Sequence, residues 1–190
     1  MDEKKAIEKG KEWMKNSKDP IHGYEHAKNV EKDSLKIFAS LRDDGWKIDS
    51  EIDENLILLS VWWHDCYKAL FEKKVLLNEF VEGKRSAEIA QEEIKGLVSE
   101  KRLKMVLDAI KNHNNMPLIL FKGKNLPILT RVLIEADAID ARDCERRKKR
   151  NFSPRTFFHK VLTFFAEPVA SLLHRIYIKS TYARNVCGFK

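Results

Sequence analysis

Residues 59–68 read LSVWWHDCYK: an apolar run with two tryptophans that stops on His64 and Asp65. On a helix over about 52–65, His64 shares a stripe with Val61, Ser60 and Ile57, and Asp65 shares one with Val61 and Leu58. An imidazole and a carboxylate are therefore aimed at apolar packing. A desolvated carboxylate needs a partner, because an unpaired buried charge is expensive. A divalent cation is one such partner; an arginine or a helix N-terminus is another. The dipeptide alone does not choose between them.

Two other segments repeat the pattern. In IHGYEH, His26 lies on a stripe with Val30 and Ile37, and His22 stands one helical turn before it. In LTRVLIEADAID, Asp137 lies on a stripe with Ile134 and Leu133, with Asp140 about one turn on. Three helices thus each bring a His or an Asp to a side expected to be buried. Two imidazole nitrogens and two carboxylate oxygens form a mixed donor set. Such a set suits one divalent ion of Mn²⁺, Fe²⁺, Co²⁺, Ni²⁺ or Mg²⁺ with positions left for water, and it is not a closed structural zinc site.

Further polar groups flank these segments. His22 has two readings, a contact to a substrate phosphate or a cap on the second helix. Asp140 either acts on water, holds a ligand histidine from behind, or pairs with Arg142. Lys68, Lys84 and Arg85 can receive phosphate oxygens or lie solvated, and His113 in KNHNN is either a site wall or a loop residue. The chain has no GxSxG and no P-loop, so a serine nucleophile and a Walker-type phosphate cradle are not indicated.

The elements that must position these groups read as helices. Residues 3–16 are helix-prone, Lys18-Asp19-Pro20 breaks them, and a second helix runs from about Tyr24 to Leu41. DDGWKIDS is a loop. Ser50 with Asp53 resembles a capping box opening the third helix. Residues 67–83 are ambiguous, 86–97 are helical, and Ser99 caps a helix through Asn112. Pro127 suits a first helical position for a helix to about Arg142. Ser153-Pro154 and Glu167-Pro168 resemble two more helix starts. No stretch alternates like a strand with hairpin turns, so the expected class is all-α.

The 190 residues, 43% hydrophobic, suffice for one substantial core. Cys66, Cys144 and Cys187 are odd in number and form no CxxC, which argues against a disulfide framework and suits a reducing, cytoplasmic setting. DEKKAIEKGK after Met1 lacks the apolar core of a signal peptide, and no apolar run approaches a membrane span. The net charge of +7 is uneven: residues 1–140 hold 24 basic and 26 acidic groups, and residues 141–190 hold 12 and 3. The expected organisation is a helical core over 1–142 and a basic, aromatic-rich helical extension over 143–190 packed on it. Phe157, Phe158, Phe164 and Phe165 read as the buried stripe of an amphipathic helix, against the core or a second copy of the chain in a homodimer.

The order H…HD…D, carried by HGYEH, WWHDC and EADAID, resembles the HD-domain superfamily of metal-dependent phosphohydrolases across residues 18–142. NEFVEGKRSAEIA resembles the part of small HD proteins that comes after the HD helix. The resemblance implies His26, His64, Asp65 and Asp137 as metal ligands. It also implies a phosphate ester or anhydride as substrate, a nucleotide or another small phosphorylated metabolite, attacked by activated water. Asp65 or Asp140 would orient or deprotonate that water, and His22, Lys68 and Arg85 would offset phosphoryl charge. Two-metal HD enzymes add histidines between the HD pair and the last aspartate. Here residues 79–112 have none and only His113 can serve, so one metal is expected. CYKAL lacks the Glu-Asp pair of alarmone hydrolases, and ARDCERRKKR matches no family pattern. Two rival readings are a helical interaction module without activity, and a nucleic-acid-binding protein acting through Arg146, Arg147, Lys148, Lys149 and Arg150.

Overall fold

The computed structural model describes residues 1–72, 76–114, 126–141, 178 and 180–186, with backbone alone over 76–80. Among these residues seven helices occur: α1 (Glu3–Lys15), α2 (Tyr24–Asp43), α3 (Glu54–Trp63), α4 (Leu76–Ile94), α5 (Glu100–Asn112), α6 (Ile128–Ala141) and α7 (Thr181–Val186), with a 3-10 turn at Lys68–Leu70. The only extended pairing among them is an isolated bridge between Lys95 and Val98. The fold is all-α, as the sequence predicts.

Helix α3 is the axis. Its sequence, ENLILLSVWW, is apolar on every side after its first residues, and a helix of that kind must be enclosed. It touches α1, α2, α4, α5 and α6. Trp62 and Trp63 are both fully buried. The Trp63 indole donates to the Ala6 carbonyl at 3.1 Å. Helix α1 comes this close because of Gly10, where a Cβ would stand 2.9 Å from both Trp62 Cβ and Trp63 Nε1. Trp13 donates to the Cys66 carbonyl at 2.9 Å, pinning the chain just beyond α3.

The start of α3 differs from expectation. Asp53 is itself the N-cap, accepting from the Leu56 amide at 2.9 Å, and Ser50 lies in the preceding turn. The shorter reach of Asp53 to the third amide satisfies the orphan donor directly, so no capping box from Ser50 is needed. Arg102 then clamps this corner. Its guanidinium meets Glu3 at 2.6 Å, Asp53 at 2.7 Å and the Glu51 carbonyl at 2.7 Å, which ties α1, α5 and the α3 entry together.

Helix α2 buries His26, Val30, Ser34, Ile37 and Leu41 along one stripe. It runs two residues past the expected Leu41 and leaves through Gly45 at φ +76, whose left-handed conformation lets the Trp46 amide return to the Leu41 carbonyl at 3.0 Å. Helix α5 matches its expected bounds, with Ser99 capping the Arg102 amide at 3.3 Å. In α6, Pro127 precedes the first helical residue and its carbonyl accepts from the Arg131 amide at 3.0 Å. Ile178 and Ala183 are buried, and α7 packs on α2 and α6. Ser180 donates through amide and hydroxyl to Glu135 at 3.2 and 2.7 Å. The expected helices from Ser153-Pro154 and Glu167-Pro168, the phenylalanine pairs and the basic run 146–150 lie outside the described residues. Among those described, no helix is long and apolar enough to cross a membrane.

Helix α4 is the main correction. It begins at Leu76 and not near residue 86. Gly83 hides the helix from a reading by propensity, yet packing requires it. A Cβ there would stand 2.7 Å from the Lys111 carbonyl oxygen, 2.7 Å from Asn114 Oδ1 and 3.0 Å from the Ile110 carbonyl oxygen. Gly83→Ala should gain about 1 kcal/mol of helix propensity and lose more, roughly 2–3 kcal/mol, by forcing two backbone carbonyls away. We expect a lowered urea midpoint, set against Glu92→Ala on the exposed face as a near-neutral control. An unchanged midpoint would show that α4 and α5 do not meet so closely.

Candidate metal centre

Helix α3 ends at Trp63, with His64 as its C-cap. The His64 Nδ1 donates back to the Val61 carbonyl at 2.6 Å, which settles the tautomer and turns Nε2 inward. From α2, the His26 Nδ1 donates to Asp140 Oδ2 at 2.8 Å, and its Nε2 is likewise turned inward. The two Nε2 atoms stand 3.1 Å apart. Asp65 Oδ2 lies 3.2 Å from His26 Nε2 and 3.4 Å from His64 Nε2. Asp137 Oδ1, from α6, lies 3.6 Å from His26 Nε2.

Two imidazole lone pairs and a carboxylate oxygen thus converge with no proton between them. Both Asp65 oxygens are buried and accept no hydrogen bond of acceptable geometry. This is an unfavourable arrangement by itself and a suitable one around a cation. One donor atom from each of His26, His64 and Asp65 lies within 4.8 Å of the others, so the three can hold a metal ion. Asp137 sits at the rim, its side chain 33% exposed, and not on the fully buried face expected from its stripe. The rest of its turn, Glu135, Ala136, Ala138 and Asp140, is buried, so Asp137 alone of these reaches solvent.

The pattern of residues 23–142 matches the family model of the HD domain. The chain belongs to the HD-domain family. HD domains form a superfamily made up mostly of metal-dependent phosphohydrolases, and the His/Asp cluster agrees with that chemistry. No curated protein and no solved structure matches the chain.

Around the HD pair the remaining sequence candidates separate into three groups. Asp140 is engaged through both oxygens, Oδ2 with His26 and Oδ1 with the Asn29 amide at 2.9 Å. It stands behind the ligand-competent nitrogen, in the position from which a carboxylate orients an imidazole. His22 is paired through Nδ1 with Asp19 at 2.9 Å, and its ring meets that of His26 edge-on at 5.5 Å. Asp19 also accepts from the amides of Ile21 and His22, at 2.7 and 3.1 Å, so the break at Pro20 is a built support for His22. Arg85 is the exception. Its side chain is 58% exposed and pairs with Glu88 at 2.8 Å, and among the described residues it makes no contact with the cluster.

Lys68 and His113 come to the far side of Asp65, and with them a residue that the sequence reading missed. Glu82 of α4 is buried, with Oε1 2.6 Å from Lys68 Nζ and 3.7 Å from His113 Nε2. Lys68 Nζ is also 3.0 Å from Asp65 Oδ1. The sequence signal for Glu82 is its place in NEFVEGKRSAEIA, the segment that resembles the part of HD proteins after the HD helix, and nothing there marks it as buried.

The electrostatics arise from burial and these contacts. Burial holds His64 down to about 4, against the pull of Asp65, so it is neutral and able to donate its lone pair at physiological pH. Burial would raise Asp65, but the Lys68 ammonium beside it holds it well below the usual carboxylate range. With His64 neutral, Lys68 is the standing cation there. Burial would lower Lys68, and the carboxylates of Asp65 and Glu82 more than offset it, so it stays charged. Glu82 is pushed up to about 7, by burial first and with Lys68 opposing. Burial also pushes the Cys66 thiol up to about 12, leaving it a poor nucleophile.

Two measurements check this arrangement. Asp140→Ala should weaken Mn²⁺ or Co²⁺ binding by about 10- to 100-fold, read by competition with a chelating dye, because His26 loses its orienting partner. Unchanged affinity would remove Asp140 from that role. In chelator, Glu82 binds its proton more tightly folded than unfolded. Its contribution to stability is complete below about pH 4.5 and falls as pH rises to about 7. The stability difference between wild type and Glu82→Gln should therefore shift against wild type by a few kcal/mol over that window and level off above it. Parallel denaturation curves at all pH values would contradict the upward shift.

Proposed function

We propose that the chain is a metal-dependent phosphohydrolase acting on a nucleotide or another small phosphorylated metabolite. One observation supports the reading: His26 Nε2, His64 Nε2 and Asp65 Oδ2 lie 3.1 to 3.4 Å from one another, with Asp137 Oδ1 3.6 Å from His26 Nε2. In this reading those four residues hold one divalent ion. When bound, such an ion supplies Lewis-acid activation of water near neutral pH and offsets phosphoryl charge. Asp140 and the Val61 carbonyl hold the two imidazoles with their lone pairs inward. Asp137, at the rim, is within reach of both solvent and the ligand locus, and suits a place beside the incoming water. His22, fixed by Asp19 with its ring edge-on to that of His26, would meet a substrate oxygen in this reading.

Hydrolysis of nucleoside mono-, di- and triphosphates and simple phosphate esters, assayed with added Mn²⁺, Co²⁺ or Ni²⁺, tests the proposal with Asp65→Ala alongside. Wild type should turn over at least one class, and Asp65→Ala should fall to background. The same ions, at about 100 times their Kd, should stabilise wild type by roughly 2.7 kcal/mol and leave Asp65→Ala unmoved. An Asp65→Ala protein that bound metal and hydrolysed substrate at the wild-type rate would sink the assignment.

A further inference from the structure

A second cluster lies against the first and shares one residue with it. Asp65 has two faces. Its Oδ2 is turned to His26 and His64, and its Oδ1 to Lys68 at 3.0 Å and His113 at 3.8 Å. The His113 Nδ1 donates to the Ile110 carbonyl at 2.6 Å, so its Nε2 is turned inward, as in the other two histidines. One donor atom from each of Asp65, Glu82 and His113 lies within 4.8 Å of the others, a spacing that also admits a metal ion. Asp65 Oδ1 and Glu82 Oε1 are fully buried and accept no hydrogen bond of acceptable geometry. Two carboxylate oxygens and an imidazole nitrogen of this kind are an ordinary transition-metal donor set.

Yet a cation is already present. The Lys68 ammonium touches both carboxylates, at 2.6 Å from Glu82 and 3.0 Å from Asp65, with its side chain only 18% exposed. Its position is built in by the backbone. Lys68 opens the 3-10 turn after the HD pair, Ala69 donates to the Asp65 carbonyl at 3.2 Å, and the Ala69 carbonyl accepts from the Lys18 amide at 2.8 Å. The turn fixes where the side chain starts, and the two carboxylates hold its ammonium.

We propose that Lys68 takes the place of a second metal ion beside the first, bridged to it by Asp65, and thereby limits the chain to one metal. The proposal rests on the metal centre argued above. A lysine tethered three residues from Asp65 offsets the buried carboxylates without an external ligand, and it excludes a dication by charge and by volume. Glu82 is then a positioning residue for the ammonium. Removing the ammonium leaves a bare donor set of Asp65, Glu82 and His113, which a second ion can fill.

The test is metal content per chain after loading with Mn²⁺ and removal of excess, with the electron paramagnetic resonance spectrum as a second readout. Wild type should hold one equivalent with an isolated Mn²⁺ signal. Lys68→Ala should hold two, with the signal of an exchange-coupled pair, and Lys68→Ala/Glu82→Gln should return to one. Lys68→Met, which keeps most of the side-chain volume, should bind the second equivalent more weakly than Lys68→Ala. It also provides the uncharged comparison if the alanine variant does not fold. Wild type with two equivalents overturns the proposal, as does one equivalent in both uncharged variants. Wild type with none would instead remove the metal centre itself, an outcome distinct from either. Should neither uncharged variant fold, wild-type content decides: one supports the proposal, two overturns it.

Discussion

Burying the Asp65 carboxylate is the constraint around which the rest is arranged. Helix α3 is apolar on all sides and enclosed by five others, so the residues just past its last turn, His64 and Asp65, are delivered into the middle of the bundle. A carboxylate in that position cannot be left to itself. His26 of α2 and His64 at the cap of α3 supply Nε2 atoms on one side and Lys68 of the 3-10 turn an ammonium on the other, and neither side gives Asp65 a directed hydrogen bond. An oxygen left without a hydrogen bond inside a protein is costly unless a cation offsets it. The Lys68 ammonium offsets Asp65 Oδ1, while Oδ2 faces the two imidazole nitrogens.

Each inward-facing nitrogen depends on a contact behind it. The Val61 carbonyl fixes His64, the Ile110 carbonyl fixes His113, and Asp140, itself held by Asn29, fixes His26. Two of these three supports are backbone carbonyls three residues upstream, at the frayed ends of α3 and α5. The C-terminal turn of a helix always has spare acceptors. A histidine just beyond it satisfies one of them with Nδ1 and so presents Nε2 in a set direction. The same geometry appears twice, at His64 and at His113, and brings both rings within 5.2 Å of each other.

Packing around this centre tolerates little adjustment. Gly10 lets α1 approach the tryptophans of α3, and Gly83 lets α4 approach the end of α5. The second contact matters for chemistry because Glu82 and His113 lie at that crossing. Arg102 holds the opposite end of the bundle by joining α1, α5 and the cap of α3. The helix ends that carry the cluster are thus held against one another by close backbone contacts as well as by the Lys68 ammonium between Asp65 and Glu82.

The sequence by itself determined the class and the main helices, and it singled out His26, His64 and Asp65, which lie together in the structure. Apolar periodicity and cap residues reflect local backbone energetics, so the first, second, third, fifth and sixth helices are readable to within a few residues, and His26, His64 and Asp65 stand out by type and stripe. Only tertiary structure decided the remainder. Glu82 sits in a helix whose glycine makes sense only against α5, so its burial beside Lys68 has no local signature. Asp19 and Asn29 support His22 and Asp140 through contacts set by chain path and, for Asn29, across 111 residues. Arg85 and Glu82 occupy the same helix a turn apart, and nothing in their sequence neighbourhood says which one turns inward. That choice is made by which face of α4 meets its neighbours, a property of helix packing and not of the helix alone.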